Sequence, residues 1–407
     1  MDDRISLYIH IPFCVRKCAY CDFVSFPPDI CGDDIKDRYI DKLIDELAFC
    51  SAVSGRKIST AYIGGGTPTS LSAFQLKRLF NGISKNFDIA DEFSIEVNPA
   101  TVDSEKIKIL ASYGINRISV GLQSIWVKEL NLLGRAHDYK DFLNTLEIIQ
   151  NSGFKNINVD VMAALPGATV DSWAKTLETV ADMDIQHVSA YNLIIEEGTR
   201  FGEIYGCSPD SNSKYPSLPD EETEREMYHI TNDILDSRGF RQYEISNYAK
   251  EGFSCRHNIT YWRGGYYIGA GLSAAGHLPV EHWAAASNTD VRSVRYKNTS
   301  DIKKYLGFDF RPTDENPVLN IQGFYEESDA VTFVEAAREL FIFGLRMNEG
   351  LDIEKAFNLA NDPGFESEAK KAILKLTSEG LIEQNGSVIR LTDKGRDLEN
   401  YVVSQFV

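Results

Sequence analysis

The chain lacks the features that mark a membrane-spanning, secreted or nucleic-acid-binding protein. In its 407 residues no apolar run approaches the ~18 residues that a transmembrane helix needs. The first residues, Met-Asp-Asp-Arg, show no basic segment followed by an apolar one, so no signal peptide is predicted. Lysine and arginine number 42 against 60 aspartates and glutamates, a net charge of −18. This excess argues against nucleic acid as a partner, because phosphate binding needs a basic surface.

Cysteine is also scarce, with 7 residues in the chain. An odd number disfavours a full disulfide framework, and we expect a reducing, cytoplasmic location without a membrane anchor. Three of the seven, however, stand close together as C-x3-C-x2-C, directly after the apolar stretch 7–11. They are Cys14, Cys18 and Cys21. Four thiolates would complete the ligand shell of zinc or of an iron–sulfur cluster, whereas three leave a position open for a substrate. The spacing therefore predicts an active metal centre rather than a structural one.

From residue 6 to about 195, short β-rich runs alternate with amphipathic stretches. The predicted strands are Ser6–His10, Ser59–Ile63, Glu92–Asn98, Arg117–Gly121, Asn156–Met162 and His187–Leu193. The predicted helices between them are Ile35–Cys50, Phe74–Ile83, Ile107–Tyr113, Phe142–Ile149 and Trp173–Met183. This alternation indicates an α/β fold of six parallel βα units, which is too few for a closed eight-strand barrel and fits an open or partial one. Its ligand site is expected at the carboxyl ends of the strands.

Polar and glycine residues cluster at those strand ends. A glycine run, Gly64–Thr67, follows the second strand and could expose backbone N–H groups to an anionic ligand, although a tight turn explains such a run about equally well. A zwitterionic ligand that carries a ribose needs an arginine fork for its carboxylate and carboxylates for its amine and hydroxyls. Each such residue, taken singly, is more often a surface residue. The candidates are Glu96, Gln123, Arg135 and Asp160.

The second half of the chain divides into several predicted segments. Residues 207–221 are predicted to form an exposed loop, followed by a helix over Asp220–Ser237. Residues 241–325 show little periodicity and are interpreted as an irregular connecting or lid segment after a barrel of residues 1–240. This segment carries His-Asn-Ile-Thr-Tyr-Trp at 257–262. There His257 is either an iron or heme ligand or a hydrogen-bonded core histidine, and the pattern leaves both open.

Residues 326–407 are predicted to form a C-terminal winged-helix-like α+β domain. Helices are expected at Thr332–Met347, Ile353–Leu359 and Glu366–Ser378, then a hairpin around Asn385-Gly386 and a last helix over Lys394–Val403. DNA binding is disfavoured, because this part holds 16 acidic against 9 basic residues, a net charge of −7. A packing or lid domain is the favoured interpretation.

Several ordered motifs together resemble the radical S-adenosylmethionine (SAM) family. They are YIHIPFCVRKCAYCDF at 8–23, GGGTPT at 64–69, EVNP at 96–99, GINRISVGLQS at 114–124, LGRAH at 133–137, LPG at 165–167 and YEISNYAKEGFSCRHNITYW at 243–262. Within that family the chain is similar to the branch that contains the oxygen-independent coproporphyrinogen oxidases and the HemW-type heme chaperones. The resemblance covers nearly the whole chain.

The resemblance implies a partial (β/α)6 TIM-like barrel whose three cysteines hold a [4Fe-4S] cluster. The fourth iron would take the amino and carboxylate groups of SAM, and an electron donor is implied. The family's cofactor contacts correspond to Tyr8, Gly65, Gly66, Thr67, Glu96, Gln123, Arg135 and Asp160, and position adds Tyr20 and Ile194. His257 is the implied heme contact, and no catalytic residue is assigned. One departure is Ala164, since the family more usually has a glycine before Leu-Pro-Gly.

Three departures from the decarboxylating oxidases favour the HemW-type chaperone. Phe23 stands where those oxidases carry a fourth cysteine, only 13 residues precede Cys14, and the HNITYW element is present. The favoured function is heme and SAM binding with delivery of heme to an acceptor protein, by a monomer or homodimer. The alternatives are an oxygen-independent coproporphyrinogen III oxidase and another radical reaction on heme, such as methylation with ring opening. Whether the protein is an enzyme is therefore left open.

Overall fold

The computed structural model describes residues 5–206, 215–283, 290–310 and 323–407. Strands and helices alternate through its first half, as predicted. In chain order they are β1 (Ser6–Ile11), α1 (Asp33–Ser54), β2 (Lys57–Gly65), α2 (Ala73–Asn86), β3 (Asp88–Val97), α3 (Ser104–Ser112), β4 (Arg117–Gln123), α4 (Val127–Leu132), α5 (Tyr139–Asn151), β5 (Ile157–Ala163), α6 (Val170–Ala181) and β6 (His187–Asn192).

These six strands pair in chain order, each parallel to the next, and form the predicted partial barrel. Alternation along each strand separates its two faces. On β1, Leu7, Ile9 and Ile11 are fully buried in the main hydrophobic core, while Tyr8 and His10 occupy the alternate positions. Helices pack on the apolar face of the sheet. Because the six strands are parallel, they all end at the same edge of the sheet. That edge is where the fold predicts a ligand site.

The segment 241–325, which the sequence predicts to be irregular, contains regular strands, so that prediction is wrong. The elements that follow β6 are α7 (Arg200–Tyr205), α8 (Glu221–Asp236), β7 (Arg241–Glu244), β8 (Asn247–Ala249), α9 (Arg256–Trp262), β9 (Tyr267–Ala270), β10 (Ala275–Pro279), β11 (Val291–Asn298), α10 (Ile302–Gly307) and β12 (Tyr325–Thr332). The helix predicted over Asp220–Ser237 is confirmed as α8, whereas residues 207–214 of the predicted loop, with Cys207, lie outside the described residues.

These additional strands extend the barrel into one sheet of 12 strands, in the order β12-β11-β10-β9-β1-β2-β3-β4-β5-β6-β8-β7. Their shortness hides the period-two pattern, because β7 to β10 have between 3 and 5 residues each. Glycine also obscures it by replacing apolar residues where the packing is closest. At Gly276 a Cβ would lie 2.2 Å from the ring of Tyr296. The glycines that suggested an irregular segment thus allow tight packing within a sheet.

The C-terminal part has its own hydrophobic core and the predicted α+β composition. Its elements are α11 (Phe333–Gly344), β13 (Leu351–Asp352), α12 (Ile353–Ala360), α13 (Pro363–Ser378), β14 (Ile382–Asn385), β15 (Val388–Leu391), α14 (Asp393–Asp397) and α15 (Glu399–Val403). The hairpin at Asn385-Gly386 is confirmed, with Gly386 at a φ of 61°. The prediction of a single last helix over Lys394–Val403 is wrong, because Leu398 leaves helical geometry (φ −119°, ψ 29°) and separates two short helices.

In the described part of the chain, no helix is long and apolar enough to cross a membrane.

The backbone explains why glycine is more usual than alanine at the position before Leu-Pro-Gly. Ala164 follows β5 with a φ of 58° and is 1% exposed. Left-handed backbone costs a residue with a Cβ about 1–2 kcal/mol, which glycine avoids. We expect Ala164→Gly to raise the free energy of unfolding by up to about 1 kcal/mol in urea titrations, since part of the relief is offset by unfolded-state entropy. Ala163→Gly, one residue earlier on β5, is the control and should destabilise. Equal destabilisation by both changes would contradict the strain at Ala164.

Candidate cofactor site

The three motif cysteines lie on a loop that leaves the carboxyl end of β1. Its return is fixed by a hydrogen bond from the Cys14 N–H to the carbonyl of Phe26 (3.0 Å). His10, at the end of β1, joins the same loop through Nε2 and the carbonyl oxygen of Val24 (2.9 Å). The loop thereby brings Cys14, Cys18 and Cys21 together as partly exposed, free thiols.

The surroundings of these thiols suit sulfur that carries negative charge. An N–H of Arg135 donates to Sγ of Cys18 (3.6 Å), and the hydroxyl of Thr67 donates to Sγ of Cys14 (3.8 Å). Burial raises the pKa of the Cys14 thiol and raises that of Cys21 to about 11. These two thiols thus stay protonated near neutral pH unless a metal displaces the proton.

The arrangement of the thiols is compatible with a multinuclear cluster. Among the described residues, no three His, Cys, Asp or Glu side chains converge on one metal position. A multinuclear cluster does not need such convergence, because each cysteine binds a different iron atom. Three thiols, two donors to sulfur and an adjoining cavity therefore match a cluster with one iron left for another ligand.

A cavity of about 150 Å³ lies between the cysteine loop and the carboxyl ends of β2 to β6. Almost all the residues that the sequence selected from separate strand ends line this one space. They are Cys14, Cys18, Tyr20, Cys21, Gly65, Gly66, Thr67, Glu96, Gln123, Arg135 and Asp160. Ile194 is not among them and is 68% exposed beyond β6.

Arg135 is the basic group best placed to hold a carboxylate in this cavity. Its Nη2 donates to Oδ1 of Asn98 (2.7 Å) and to the carbonyl of Gly121 (2.8 Å), which fixes the guanidinium. Its Nε is buried and has no hydrogen-bond partner among the described residues. A buried, unpaired donor is costly, and a carboxylate that reached this guanidinium could satisfy it.

Two carboxyl groups face the same cavity. Glu96 accepts from the N–H of Gly65 (3.2 Å) and the hydroxyl of Tyr62 (3.0 Å), and Asp160 accepts from the Ser119 hydroxyl (3.1 Å). Burial, with the negative charge of Asp160 as a smaller cause, raises the pKa of Glu96 to about 7. Burial also raises the pKa of Asp160. A ligand ammonium group would offset this penalty, so the pair is suited to a cationic or hydroxyl-bearing ligand.

The raised pKa of Glu96 gives a pH-dependent prediction. Unfolded Glu96 ionises near 4.5 and the folded residue near 7, so ionisation destabilises the fold as pH rises through that window. Glu96→Gln should therefore raise the melting temperature of ligand-free protein at pH 8 by a few degrees and change little at pH 4.5. SAM affinity, measured by calorimetry, should fall. Glu147→Gln, on exposed α5 surface, is the control; a gain independent of pH would contradict the assignment.

Two glycines allow the cysteine loop to approach β2. At Gly65, with a φ of 108°, a Cβ would lie 2.4 Å from the ring of His10. At Gly66 it would lie 2.7 Å from the carbonyl oxygen of Phe13 and 3.0 Å from Sγ of Cys14. The glycine run is therefore required by close packing against the cysteine loop, which the turn interpretation alone did not indicate.

A bulge turns Gln123 into the cavity. The β4–β5 register shifts between Gly121 and Gln123, and Gln123 has a φ of 72°. Its Oε1 accepts from the hydroxyl of Tyr191 (3.0 Å). Non-glycine residues in this conformation cluster at functional sites, where the surrounding structure compensates the strain.

Sequence reasoning missed Tyr191 and left Asn98 outside the candidate set. Tyr191 lines the cavity from β6, where its aromatic ring resembled an ordinary strand residue. Asn98 connects two site residues, since Nδ2 donates to Oγ1 of Thr67 (2.6 Å) and Oδ1 accepts from Arg135. Its position at the predicted end of the third strand was the available signal.

Tyr8 and His257 lie apart from the cavity lining. Tyr8 is hydrogen-bonded to Nδ1 of His10 (3.0 Å) inside the barrel. His257, on α9, is 1% exposed, with Nδ1 bonded to Thr60 (2.8 Å) and Nε2 to the Tyr261 hydroxyl (2.7 Å). Burial, and secondarily the positive charge of Arg117, lowers the pKa of His257 to about 3. With both ring nitrogens in hydrogen bonds, His257 takes the core-histidine arrangement; its heme contact stays a prediction.

Glu92 holds the helix that carries His257. Its carboxylate accepts the backbone N–H of Arg256 (2.9 Å) and of His257 (3.3 Å), two donors at the start of α9. A carboxylate at a helix N-terminus satisfies donors that lack partners within the helix. Helix α9 is thus fixed to the amino-terminal part of β3, while Glu96 on the same strand faces the cofactor cavity.

The fold and cavity define a class of protein: a partial parallel barrel with a three-cysteine loop after its first strand. A model described as the radical SAM superfamily matches residues 8–180, and one described as the HemN C-terminal domain matches residues 333–398. A heme chaperone HemW of Lactococcus lactis subsp. lactis is 34% identical over 404 residues, covering 99% of this chain and 97% of that protein. The Bacillus subtilis heme chaperone HemW is 33% identical over 407 residues, covering 99% of each.

Among solved structures, coproporphyrinogen III oxidase (HemN) from Escherichia coli matches with a TM-score of 0.77. The match covers 99% of this chain and 90% of that chain, but at 24% identity it shows the shared fold alone. The full-length relatives decide the placement within the superfamily. The chain belongs to the HemW family of radical SAM proteins.

Proposed function

We propose that this protein binds a [4Fe-4S] cluster, SAM and heme, and delivers heme to acceptor proteins. The observation that carries the proposal is the convergence of the three free cysteines with Arg135 and Glu96 in one cavity at the strand ends. Membership of the HemW family, whose relatives are named heme chaperones, supplies the heme.

In this proposal Cys14, Cys18 and Cys21 each bind one iron of the cluster. When bound, such a cluster supplies an open iron for SAM and an electron that can cleave its carbon–sulfur bond. The protein's own contribution is to keep the sulfur atoms among hydrogen-bond donors. The donors are Arg135 to Cys18 and Thr67 to Cys14.

The remaining cavity residues would position SAM. Arg135, with its unpaired Nε, would hold the carboxylate, and Glu96, which the Gly65 N–H positions, would accept from the amino group. Asp160 and Gln123 lie on neighbouring strands β5 and β4 and would accept from the ribose hydroxyls. Tyr20 would pack against the adenine. Tyr8 would act through His10, to which it is hydrogen-bonded.

The exposed aromatic residue Phe23 favours a chaperone over a decarboxylase. It lines the cavity with 61% of its surface exposed, at the position where the decarboxylating relatives are expected to carry a further cysteine. A phenylalanine cannot bind a metal, so the cluster would have three protein ligands from this loop.

The proposal is tested by reconstituting the cluster anaerobically and titrating heme, with absorbance as the readout. Saturable binding of about one heme per chain is expected. The same preparation is then supplied with SAM, a reductant and coproporphyrinogen III, and we expect no protoporphyrinogen.

Two results would count against the proposal. Absence of heme binding by cluster-loaded protein would remove the chaperone function. Multiple turnovers to protoporphyrinogen would replace it with the oxidase. A His257→Ala variant measured in parallel tests the predicted contact, with thermal melting to separate lost binding from lost folding.

A further inference from the structure

A second and larger cavity, of about 840 Å³, lies at the other end of the barrel strands. Its walls come from the early residues of β2 and β3, from α9, and from the C-terminal elements α11, β13, α12 and β15. Ligand pockets for small molecules and cofactors fall between roughly 300 and 1,000 Å³. The cofactor cavity described above does not include it, since the two share no lining residue.

The floor of this cavity is apolar and its rim is charged. Ile259, Leu340, Leu351 and Val388 supply aliphatic surface from both sides of the gap. At the rim, the guanidinium of Arg263 is 60% exposed and forms a fork on Glu349 (2.9 and 3.0 Å). An apolar slot with cationic side chains at its rim suits a flat hydrophobic ligand whose carboxylates remain near water.

The charged side chains of the lining balance one another, which suits a ligand that carries little net charge. Arg256, Arg263 and Lys355 are balanced by Asp91, Glu349 and Asp352. Two of these ion pairs are long, at 3.7 Å for Arg256–Asp91 and 4.0 Å for Lys355–Asp352, so their cations can turn to another anion at little cost. Ferric heme carries little net charge itself, because the iron–porphyrin unit offsets one propionate. Its affinity here would come mainly from burial of the ring.

Trp262 contributes an aromatic side chain to the wall of the cavity. Trp262 lines the cavity, and its Nε1 is buried without a hydrogen-bond partner among the described residues. The guanidinium of Arg346 stacks 4.6 Å from the indole ring and holds it in place. The indole thus supplies a fixed aromatic surface against which a flat ring can pack.

The geometry points to this cavity as the heme-binding site, an assignment that rests on the proposed heme chaperone function. The HNITYW helix would then contact heme through Ile259, Trp262 and Arg263, while His257 faces the barrel interior. Met347 is the only thioether among the lining residues, and none of them is His, Cys or Tyr, so it is the side chain available as an axial ligand.

The position of this site separates heme from radical chemistry. On β2, Thr60 lines the large cavity and Gly65 lines the cofactor cavity. Five residues of extended strand span roughly 16 Å, whereas reacting atoms must approach to about 3–3.5 Å. Heme held there would be out of reach of a radical formed at the cysteine end, so it would be carried without being changed.

The test uses cluster-loaded full-length protein and anaerobic heme titration. Ile259→Trp fills the slot and should weaken heme binding by roughly tenfold or more. Arg263→Glu reverses an exposed rim charge and should weaken it by roughly threefold. The matched controls are Leu374→Trp, at an exposed position of α13, and Arg225→Glu, which breaks an exposed ion pair on α8. Cluster absorbance and melting temperature report folding, and Arg263→Glu, at an exposed position, keeps the test valid if Ile259→Trp misfolds.

The outcomes separate the two proposals. Wild type that binds no heme would overturn the proposed function and this inference together. Wild type that binds heme, with unchanged affinity in both cavity variants, would overturn this inference alone. The same holds if Phe23→Asp, at the cysteine end, weakens binding and the cavity variants do not.

Discussion

Replacing Cys18 by alanine should abolish the iron–sulfur cluster. After anaerobic reconstitution we expect the absorbance near 400 nm and the bound iron and sulfide to fall to background, because two thiolates cannot hold a cluster that three are needed to bind. The effect should exceed that of any other substitution outside the cysteine triad. Cys18 also receives the hydrogen bond from Nη1 of Arg135, so its loss removes a cluster ligand and one acceptor of that guanidinium.

Cys31 provides the matched control for this experiment. It follows the motif by ten residues, is 3% exposed, and does not line the cofactor cavity. Cys31→Ala should retain wild-type iron and sulfide content. A cluster that survives in Cys18→Ala at wild-type stoichiometry, or that is lost equally in Cys31→Ala, would contradict the assignment of the three motif cysteines.

Gly65→Ala should be the most damaging small change near the cavity. The new methyl group would lie 2.4 Å from the His10 ring, and the backbone φ of 108° is unfavourable for alanine. His10 anchors the cysteine loop through Val24, so its displacement moves the loop. We expect a loss of roughly 3 kcal/mol or more in the free energy of unfolding, together with poor cluster assembly. Chemical denaturation and iron analysis measure the two effects.

Gly55→Ala separates the steric clash from the backbone penalty. Gly55 also has a positive φ, 82°, but a Cβ there would meet nothing within 4 Å. Its φ of 82° and ψ of 170° form a conformation almost confined to glycine, so this control should lose about 1–3 kcal/mol but keep its cluster. Equal losses in the two variants would mean that backbone conformation, and not contact with His10, explains the glycine at position 65.

The barrel and most of its site are predictable from the sequence because both follow local rules. Six short β-rich runs that alternate along the chain with amphipathic helices indicate a parallel arrangement whose strand ends converge. Residues as distant in the chain as Cys14 and Asp160 could therefore be grouped before their contacts were known, and they line one cavity.

What could not be predicted depends on geometry that residue patterns do not encode. The positive φ of Gln123 comes from a register shift between β4 and β5. The strands β8 to β10 were missed because each is short and rich in residues that also suit loops. His257 illustrates the remaining limit: its motif marks a structured helix, but only tertiary contacts with Thr60 and Tyr261 show which way the imidazole faces.

The two cavities suggest how one barrel serves a radical SAM cofactor and a heme cargo. Glu96 contributes to the cofactor cavity near one end of β3, while Glu92 on the same strand fixes α9, which walls the larger cavity. In the proposed arrangement, SAM would bind at one end of these strands and heme at the other. Coupling between them would be reciprocal: if SAM changes heme affinity, heme changes SAM affinity by the same factor.

The most direct test of the heme chaperone claim is transfer of heme to an acceptor. Cluster-loaded protein, saturated with heme and supplied with SAM and a reductant, is mixed anaerobically with an apo-b-type cytochrome. The account predicts that the acceptor gains its heme spectrum and that the transferred tetrapyrrole has the unchanged mass of heme. Retention of heme by the donor, or recovery of a methylated, opened or decarboxylated tetrapyrrole, would contradict it.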